Sequence, residues 1–227
     1  VDVPWNDIAI AETVVMIPED TKSTTLTFDQ NPSTILTHES TKVTDDRGSR
    51  SSTLVFTGDN RAYSLDASGQ VIEELTTITV RATEFTTPES MPAILPPNSA
   101  YTYCVELSVD GAERVRFEKP VIVWVDNFFG FSVGERVPAG YYDRDKGVWV
   151  PVDNGLVVRL LDTNNDGLVD ALDATGDNQP DDLNNNGSFA DEVVGLTNTQ
   201  RYAPGSTFWR IAAVSYTHLR AHETVLD

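Results

Sequence analysis

The segment 162–173, DTNNDGLVDALD, carries oxygen-bearing side chains at alternate positions and a glycine after the third of them. A calcium loop of the twelve-residue type needs oxygen ligands at positions 1, 3, 5, 7, 9 and 12, with a backbone carbonyl at position 7 and glycine at position 6. The ligand positions are filled here by Asp162, Asn164, Asp166, the Leu168 carbonyl, Asp170 and Asp173. Gly167 stands at position 6, and Val169 at position 8 can anchor the loop to a core. Hard oxygen donors on a flexible loop favour Ca²⁺ over zinc, copper or magnesium.

The charge of this region supports the same interpretation. Residues 162–192 contain nine acidic side chains and no Lys or Arg. Like charges without counter-ions repel one another, so such a segment either stays extended in solvent or binds a cation. The filled ligand positions favour the cation.

The flanks of the loop exclude a helix–loop–helix frame. Residues 155–161, GLVVRLL, predict a strand, and Gly176 and Pro180 would interrupt any helix after the loop. A looser echo of the spacing follows at Asp177, Asp181, Asp182, Asn184, Asn186 and Gly187. This succession resembles the chained calcium loops of thrombospondin type 3 repeats, in which neighbouring ions share carboxylates. The predicted ligands therefore extend to Asp177, Asp181 and Asp182. Position 12 of the second loop would be Val193, which has no side-chain oxygen, so the alternative that the second loop is only a solvated loop also stands.

The sequence predicts β-strands for the elements that must hold these loops. Runs rich in Val, Ile, Thr and aromatic residues alternate with Gly, Pro, Asn and Asp at 51–58, 75–85, 101–109 and 120–127. This pattern predicts an all-β chain built on an immunoglobulin-like antiparallel β-sandwich. We expect His38 to be a surface histidine, and Cys104 to be a small, half-buried residue.

Residues 136–161 predict a β-hairpin, with strands at 147–152 and 155–161 joined by a turn at Asp153-Asn154-Gly155. The predicted organisation is a leading β segment (1–45), the sandwich (46–135), the hairpin extension (136–161), the calcium-type segment (162–192), a closing segment with one strand (193–213) and a tail (214–227).

The tail looks foreign. VSYTHLRAHET, which begins at Val214, resembles one reading frame of a transposon-based sequencing adapter. We therefore exclude residues 214–227 from the functional interpretation, although His218, His222 and Glu223 would otherwise suggest a zinc site. The chain also begins without Met or a signal peptide, which is typical of an internal fragment.

Composition narrows the class of protein. The 227 residues carry a formal net charge of −19, which argues against a nucleic-acid partner. No apolar run reaches the roughly 18 residues that a membrane span needs. One cysteine allows no intrachain disulfide.

Several strings resemble a region of bacterial Rhs (YD-repeat) proteins, which are very large secreted or surface polypeptides. The strings are ITVRATEF (78–85), MPAILPPNSAYTYCVELSVDGA (91–112), NFFGFSVGERVPAGYYDRDKGVWV (127–150), NGLVVRLL (154–161) and YAPGSTFWR (202–210). The resemblance implies a non-catalytic β module, extracellular or at the bacterial cell surface, that precedes the repeat shell of the same polypeptide. It carries over no catalytic residue.

Two other functions stay open. Tyr141, Tyr142 and Trp149 could form a glycan- or protein-binding face, if they are not packed within the fold. Paired carboxylates could serve a hydrolase. No nucleophile elbow, zinc-hydrolase motif or phosphate loop is present, so we expect no catalysis.

Overall fold

The computed structural model describes residues 16–95, 100–183, 185, 187–189, 202–213 and 222–226. Within these residues the chain forms sixteen strands and one short 3-10 helix, Pro88–Ser90. The strands are β1 (Thr24–Thr27), β2 (Ile35–Glu39), β3 (Val43–Asp45), β4 (Gly48–Arg50), β5 (Ser52–Thr57), β6 (Ala62–Leu65), β7 (Val71–Leu75), β8 (Thr77–Glu84), β9 (Ala100–Val109), β10 (Val115–Phe117), β11 (Val121–Asp126), β12 (Arg136–Asp143), β13 (Val148–Leu161), β14 (Ala171–Asp173), β15 (Thr207–Ala213) and β16 (His222–Leu226). The prediction of an all-β chain is confirmed.

Most strands belong to one large antiparallel sheet in the order β1-β8-β9-β16-β12-β13-β15-β11-β5-β2, with β14 added against β13. The sheet folds back on itself, because Thr24 Oγ1 at one edge lies 2.9 Å from His38 Nδ1 at the other. Two smaller sheets, β10-β6-β7 and β3-β4, complete the architecture. This layered antiparallel arrangement is consistent with a β-sandwich.

Side-chain alternation divides the apolar residues between two cores. On β8, Ile78, Val80 and Ala82 enter the main core, as their period-two spacing predicts. On β11, Val123 faces the main core while Trp124 faces a second core on the other side of the sheet. Both faces of β11 are therefore covered, which explains its almost continuous apolar sequence.

The predicted turn at Asp153-Asn154-Gly155 is wrong. β13 runs unbroken through these residues and pairs with β12, and the hairpin turns instead at 144–147. Gly147 has a positive φ of 68°, as the end of a tight turn requires. The sequence Asp-Asn-Gly instead accompanies a register shift opposite Val137–Ala139.

Gly155 is explained by packing. A side chain there would approach Ile211 Cγ1 of the neighbouring strand β15 to 2.8 Å. The strands of 136–161 thus lie inside the large sheet, between β16 and β15.

The prediction for His38 is also wrong. Its side chain is 1% exposed, and Thr24 of β1 lies against it. Cys104, expected to be half-buried, is fully buried against Phe85 and Met91. Across the described residues, no helix is long and apolar enough to cross a membrane.

Candidate metal centre

The hairpin of β13 and β14 presents the first acidic loop. Leu161 pairs with Ala171, and the Asp170 amide donates to the Leu161 carbonyl over 2.9 Å, so the chain between them forms the connecting loop. Leu160 and Leu172, opposite each other in the ladder, are fully buried in the second core. Val169 packs against this core and so occupies the anchoring position predicted for it. The hairpin therefore ties an exposed loop to a rigid base.

Oxygen atoms at the first positions of this loop point toward the same backbone amide. The Asp166 amide lies 3.2 Å from Asp162 Oδ1 and 2.9 Å from Asn164 Oδ1. Asp162 Oδ2 accepts the Gly167 amide over 2.7 Å, and Asp166 Oδ1 accepts the Leu168 amide over 2.8 Å. The turn needs positive φ at Asn165 (61°) and Gly167 (86°), where asparagine and glycine are the residues best tolerated.

Asp170 closes the loop from its far end. Its Oδ1 accepts the Thr163 amide over 2.9 Å, and its Oδ2 accepts the Thr163 hydroxyl over 2.7 Å. The carboxylate predicted for position 9 therefore lies beside the beginning of the loop, as a shared site requires.

Asp173, predicted as the last ligand of the first loop, is the last residue of strand β14. It is opposite Arg159 in the β13–β14 ladder, two residues beyond the last pair before the loop, and is fully buried. Its Oδ1 accepts the amides of Thr175 (3.1 Å) and Gly176 (2.6 Å). Its Oδ2 accepts the Asn178 amide (3.1 Å) and lies 3.4 Å from Arg159 Nη1. The structure thus groups Asp173 with the turn that follows it.

Three successive turns share one hydrogen-bond pattern. In each, an aspartate carboxylate accepts the amide of the fifth residue after it: Gly167 for Asp162, Asn178 for Asp173 and Gly187 for Asp182. In each, the third and fifth residues after the aspartate have positive φ: 61° and 86° at Asn165 and Gly167, 86° and 61° at Gly176 and Asn178, and 57° and 84° at Asn185 and Gly187. The looser echo in the sequence therefore folds as a structural repeat.

The remaining predicted ligands support these turns. Asp181 Oδ2 accepts the amides of Ala174 (2.7 Å) and Thr175 (3.1 Å), and so links the second turn to the third. Asp177 Oδ1 accepts the Gln179 amide over 2.9 Å and is exposed. Asn184 and Asn186 lie outside the described residues.

The oxygen atoms of the first turn fit a hard cation better than those of Asp173. An ionised carboxylate offers about four lone-pair positions. Asp162 contributes two of its positions to backbone amides, whereas the four donors around Asp173 fill its capacity. Within the described residues, no three His, Cys, Asp or Glu side chains converge as a metal-binding group. A cation here would depend on Asn164 and on backbone carbonyls as well as on carboxylates.

A second polar cluster was not found by sequence reasoning. Arg50 is fully buried and donates to both carboxylate oxygens of Asp45 over 2.8 Å. It also donates through Nε to Glu84 over 2.8 Å and lies over the Phe128 ring at 5.0 Å. Hydrogen bonds from Arg50 hold the pKa of Asp45 far below its usual range, whereas burial raises the pKa of Glu84. The cluster attaches the β3–β4 hairpin to β8, and each of its charges has a partner.

The neighbouring Arg47 extends this cluster. It donates to Asp45 over 2.9 Å and lies 4.8 Å from the centre of the Tyr101 ring. Burial raises the pKa of Tyr101 to about 12. Only the charged residues of the 45–50 turn signalled this cluster in the sequence, and nothing there identified Glu84 as their partner.

The aromatic residues considered for glycan binding are partly packed. The rings of Tyr142 and Trp149 lie 5.3 Å apart, and Trp149 Nε1 donates to the Ile94 carbonyl over 3.2 Å. Tyr141, Tyr142 and Trp149 are all half-buried. Comparison of the chain with protein-family models, with curated proteins and with solved structures gave no match.

Proposed function

We propose that this chain is a non-catalytic structural β module whose acidic segment binds calcium and is stiffened by it. One observation carries the proposal: the turns that begin at Asp162, Asp173 and Asp182 repeat the same backbone path and the same carboxylate-to-amide hydrogen bond. Repetition of an acidic turn along one segment favours a common ligand over three unrelated solvated loops. Asp162, Asn164, Asp166, Asp170 and the Leu168 carbonyl would hold the first ion.

The negative charge of the acidic segment explains why bound calcium would stiffen it. The acidic segment contains no Lys or Arg, and Arg159 of the sheet donates to Asp173 and Asn178 within it. Cations would relieve the repulsion among the remaining carboxylates. The loops would then form a stiff connection between the buried hairpin and the residues that follow.

The setting that we propose is a large bacterial polypeptide of the Rhs (YD-repeat) type, secreted or held at the cell surface. Support comes from the quoted strings at 78–85, 91–112, 127–150, 154–161 and 202–210, and from the acidic composition. In that setting the module would connect to the repeat shell of the same polypeptide.

Catalysis has weaker support than a structural role. The raised pKa of Glu84 is the kind of shift that a general acid uses, but Glu84 is buried and bonded to Arg50. A substrate would have to displace a guanidinium from the core to reach it. The glycan-binding alternative is weakened by the contacts of Trp149 with Tyr142 and Ile94.

Thermal unfolding and limited proteolysis test the proposal on the whole chain. Calcium at about 100 times its Kd should add about 2.7 kcal/mol to the free energy of unfolding. For a domain of this size, that is a rise in Tm of about 5–10 °C. Calcium should also slow protease cleavage within 162–192, and a chelator should reverse both effects. Identical melting and cleavage with calcium and with chelator would reject the metal-binding role.

A further inference from the structure

The second acidic turn, residues 173–178, has a cation of the protein itself against its oxygen atoms. Arg159 Nη1 lies 3.4 Å from Asp173 Oδ2 and also donates to Asn178 Oδ1. Arg159 and Asp173 are directly opposite each other in the β13–β14 ladder, so their side chains share one face of the sheet. An arginine side chain is not deprotonated in proteins. The sheet therefore supplies this turn with a permanent positive charge.

The first acidic turn, residues 162–167, has different contacts. Within the described part of the chain, the carboxylates of Asp162, Asp166 and Asp170 accept hydrogen bonds only from backbone amides and from the Thr163 hydroxyl. Three carboxylates held in this way keep a negative charge that a metal ion can neutralise. The two turns thus share a backbone path but differ in the source of their positive charge.

The order of asparagine and glycine explains how the second turn receives the guanidinium. The fifth residue after the leading aspartate is Gly167 in the first turn and Asn178 in the second, and both have positive φ. Glycine leaves this position without a side chain, whereas Asn178 places an amide oxygen there that accepts Arg159. Asparagine adopts positive φ more readily than most residues, so the exchange adds an acceptor without changing the backbone path.

The second turn is also packed closely against the loop at 133–134. A Cβ atom at Gly134 would lie 3.1 Å from the Thr175 carbonyl oxygen, and one at Gly176 would lie 3.0 Å from the Val133 carbonyl oxygen. Asp173 itself is fully buried. A calcium ion takes six to eight oxygen ligands, with water often among them. This packing leaves little room for such a shell beside the guanidinium.

We propose that Arg159 is the internal cation of the second acidic turn and excludes calcium from it, so that the calcium bound by the segment lies outside this turn. Two cations at one set of oxygen atoms repel each other, and calcium would have to displace the guanidinium from a buried carboxylate. The inference rests on the proposed binding of calcium and determines how many ions the segment takes. Arg159 is therefore a specificity-determining residue.

Native mass spectrometry of the whole chain at saturating calcium counts the bound ions. Arg159→Met should bind one ion more than the parent chain, and adding Asp173→Asn should remove that ion. Arg159→Lys keeps the positive charge and should bind the same number as the parent. The matched control is Arg81→Met, which breaks an arginine–aspartate pair of similar exposure on β8, outside the acidic segment. No additional ion in Arg159→Met, or an equal gain in Arg159→Lys or Arg81→Met, would overturn the proposal.

Variants at exposed positions give a second measurement that leaves the core unchanged. Asp177→Asn alters an exposed carboxylate of the second turn and should leave the number of bound ions unchanged, whereas Asp162→Asn should remove an ion from the first turn. Loss of an ion in Asp177→Asn would mean that the second turn binds calcium in spite of Arg159, which would contradict the proposal.

The parent chain separates this inference from the proposed function. A parent that binds calcium, together with an Arg159→Met variant that binds no more, leaves the proposed function in place and rejects the role of Arg159. A parent that binds no calcium contradicts the proposed function. In that case an ion bound by Arg159→Met supports the role of Arg159, and no ion in either chain rejects it.

Discussion

Asp173 lies directly opposite Arg159 in the β13–β14 ladder, with Arg159 Nη1 3.4 Å from its Oδ2. Three backbone amides complete the surroundings of this buried carboxylate. Asp173 thus starts the second acidic turn while it belongs to the edge of the sheet. These protein contacts couple the acidic segment to the fold.

Asp173→Asn should destabilise the metal-free protein by about 1–3 kcal/mol, because an amide group cannot accept all four hydrogen bonds and would leave buried donors unpaired. Asp177→Asn removes the same charge from an exposed carboxylate and is the matched control. Chemical denaturation in chelator measures both. Equal stabilities of the two variants would show that Asp173 is not a structural residue.

Arg50→Met tests the buried ion-pair cluster. The substitution leaves Glu84, whose side chain is 4% exposed, without its guanidinium partner, so the free energy of unfolding should fall by about 3–5 kcal/mol. Adding Glu84→Gln should recover part of that loss, since the stranded charge is then gone. Chemical denaturation of the single and double variants gives the comparison. If the double variant is no more stable than Arg50→Met alone, the loss does not arise from the charge of Glu84.

His38 should make stability depend on pH. Burial lowers its pKa below the ordinary 6.5, with Lys22 adding to the effect, while Asp20 and Glu39 oppose it. Both folded and unfolded states are neutral at His38 well above pH 6.5. As the pH falls below 6.5, the unfolded state takes up a proton that the folded state resists, so stability is lost by at most about 1.4 kcal/mol per pH unit.

The free energy of unfolding, measured at pH 7.5 and 5.5 for the parent chain and for His38→Gln, isolates the contribution of His38 to the pH dependence. His218 and His222 are present in both chains, so their contributions cancel. The parent should lose more stability than the variant on acidification. A parallel loss in the two chains would mean that His38 is not the residue responsible.

The sequence predicted strands well where the spacing of apolar residues matches the faces of the strand that are buried. β8 and β11 lie where alternation and a continuous apolar run placed them, because these features report directly on which faces are covered. The turn predicted from Asp-Asn-Gly at 153–155 was wrong, because Gly155 is needed for close packing against Ile211 and not for a turn. The prediction that His38 is exposed was wrong because β1, the strand whose Thr24 lies against it, is distant from it in the sequence.

The sequence spacing identified the oxygen-bearing residues of the first acidic turn, but only some features of the turns that follow. Spacing alone picked out Asp162 and Asn164, whose side-chain oxygens both accept the Asp166 amide, and Asp166, whose own carboxylate accepts the Leu168 amide. Spacing could not show that Asp173, at position 12, lies in strand β14 opposite Arg159, because that pairing depends on a neighbouring strand. The repeat at Asp182 depends on backbone dihedral angles that its sequence only suggests.

Calorimetric titration of the whole chain with calcium tests the central claim most directly. Wild-type protein should bind calcium with measurable heat, and Asp162→Asn combined with Asp182→Asn should weaken binding at least about ten-fold, or about 1.4 kcal/mol. Asp66→Asn is the control, because Asp66 also accepts turn amides but lies outside the acidic segment. No binding heat at millimolar calcium, or a double variant that binds like wild type, would contradict the account.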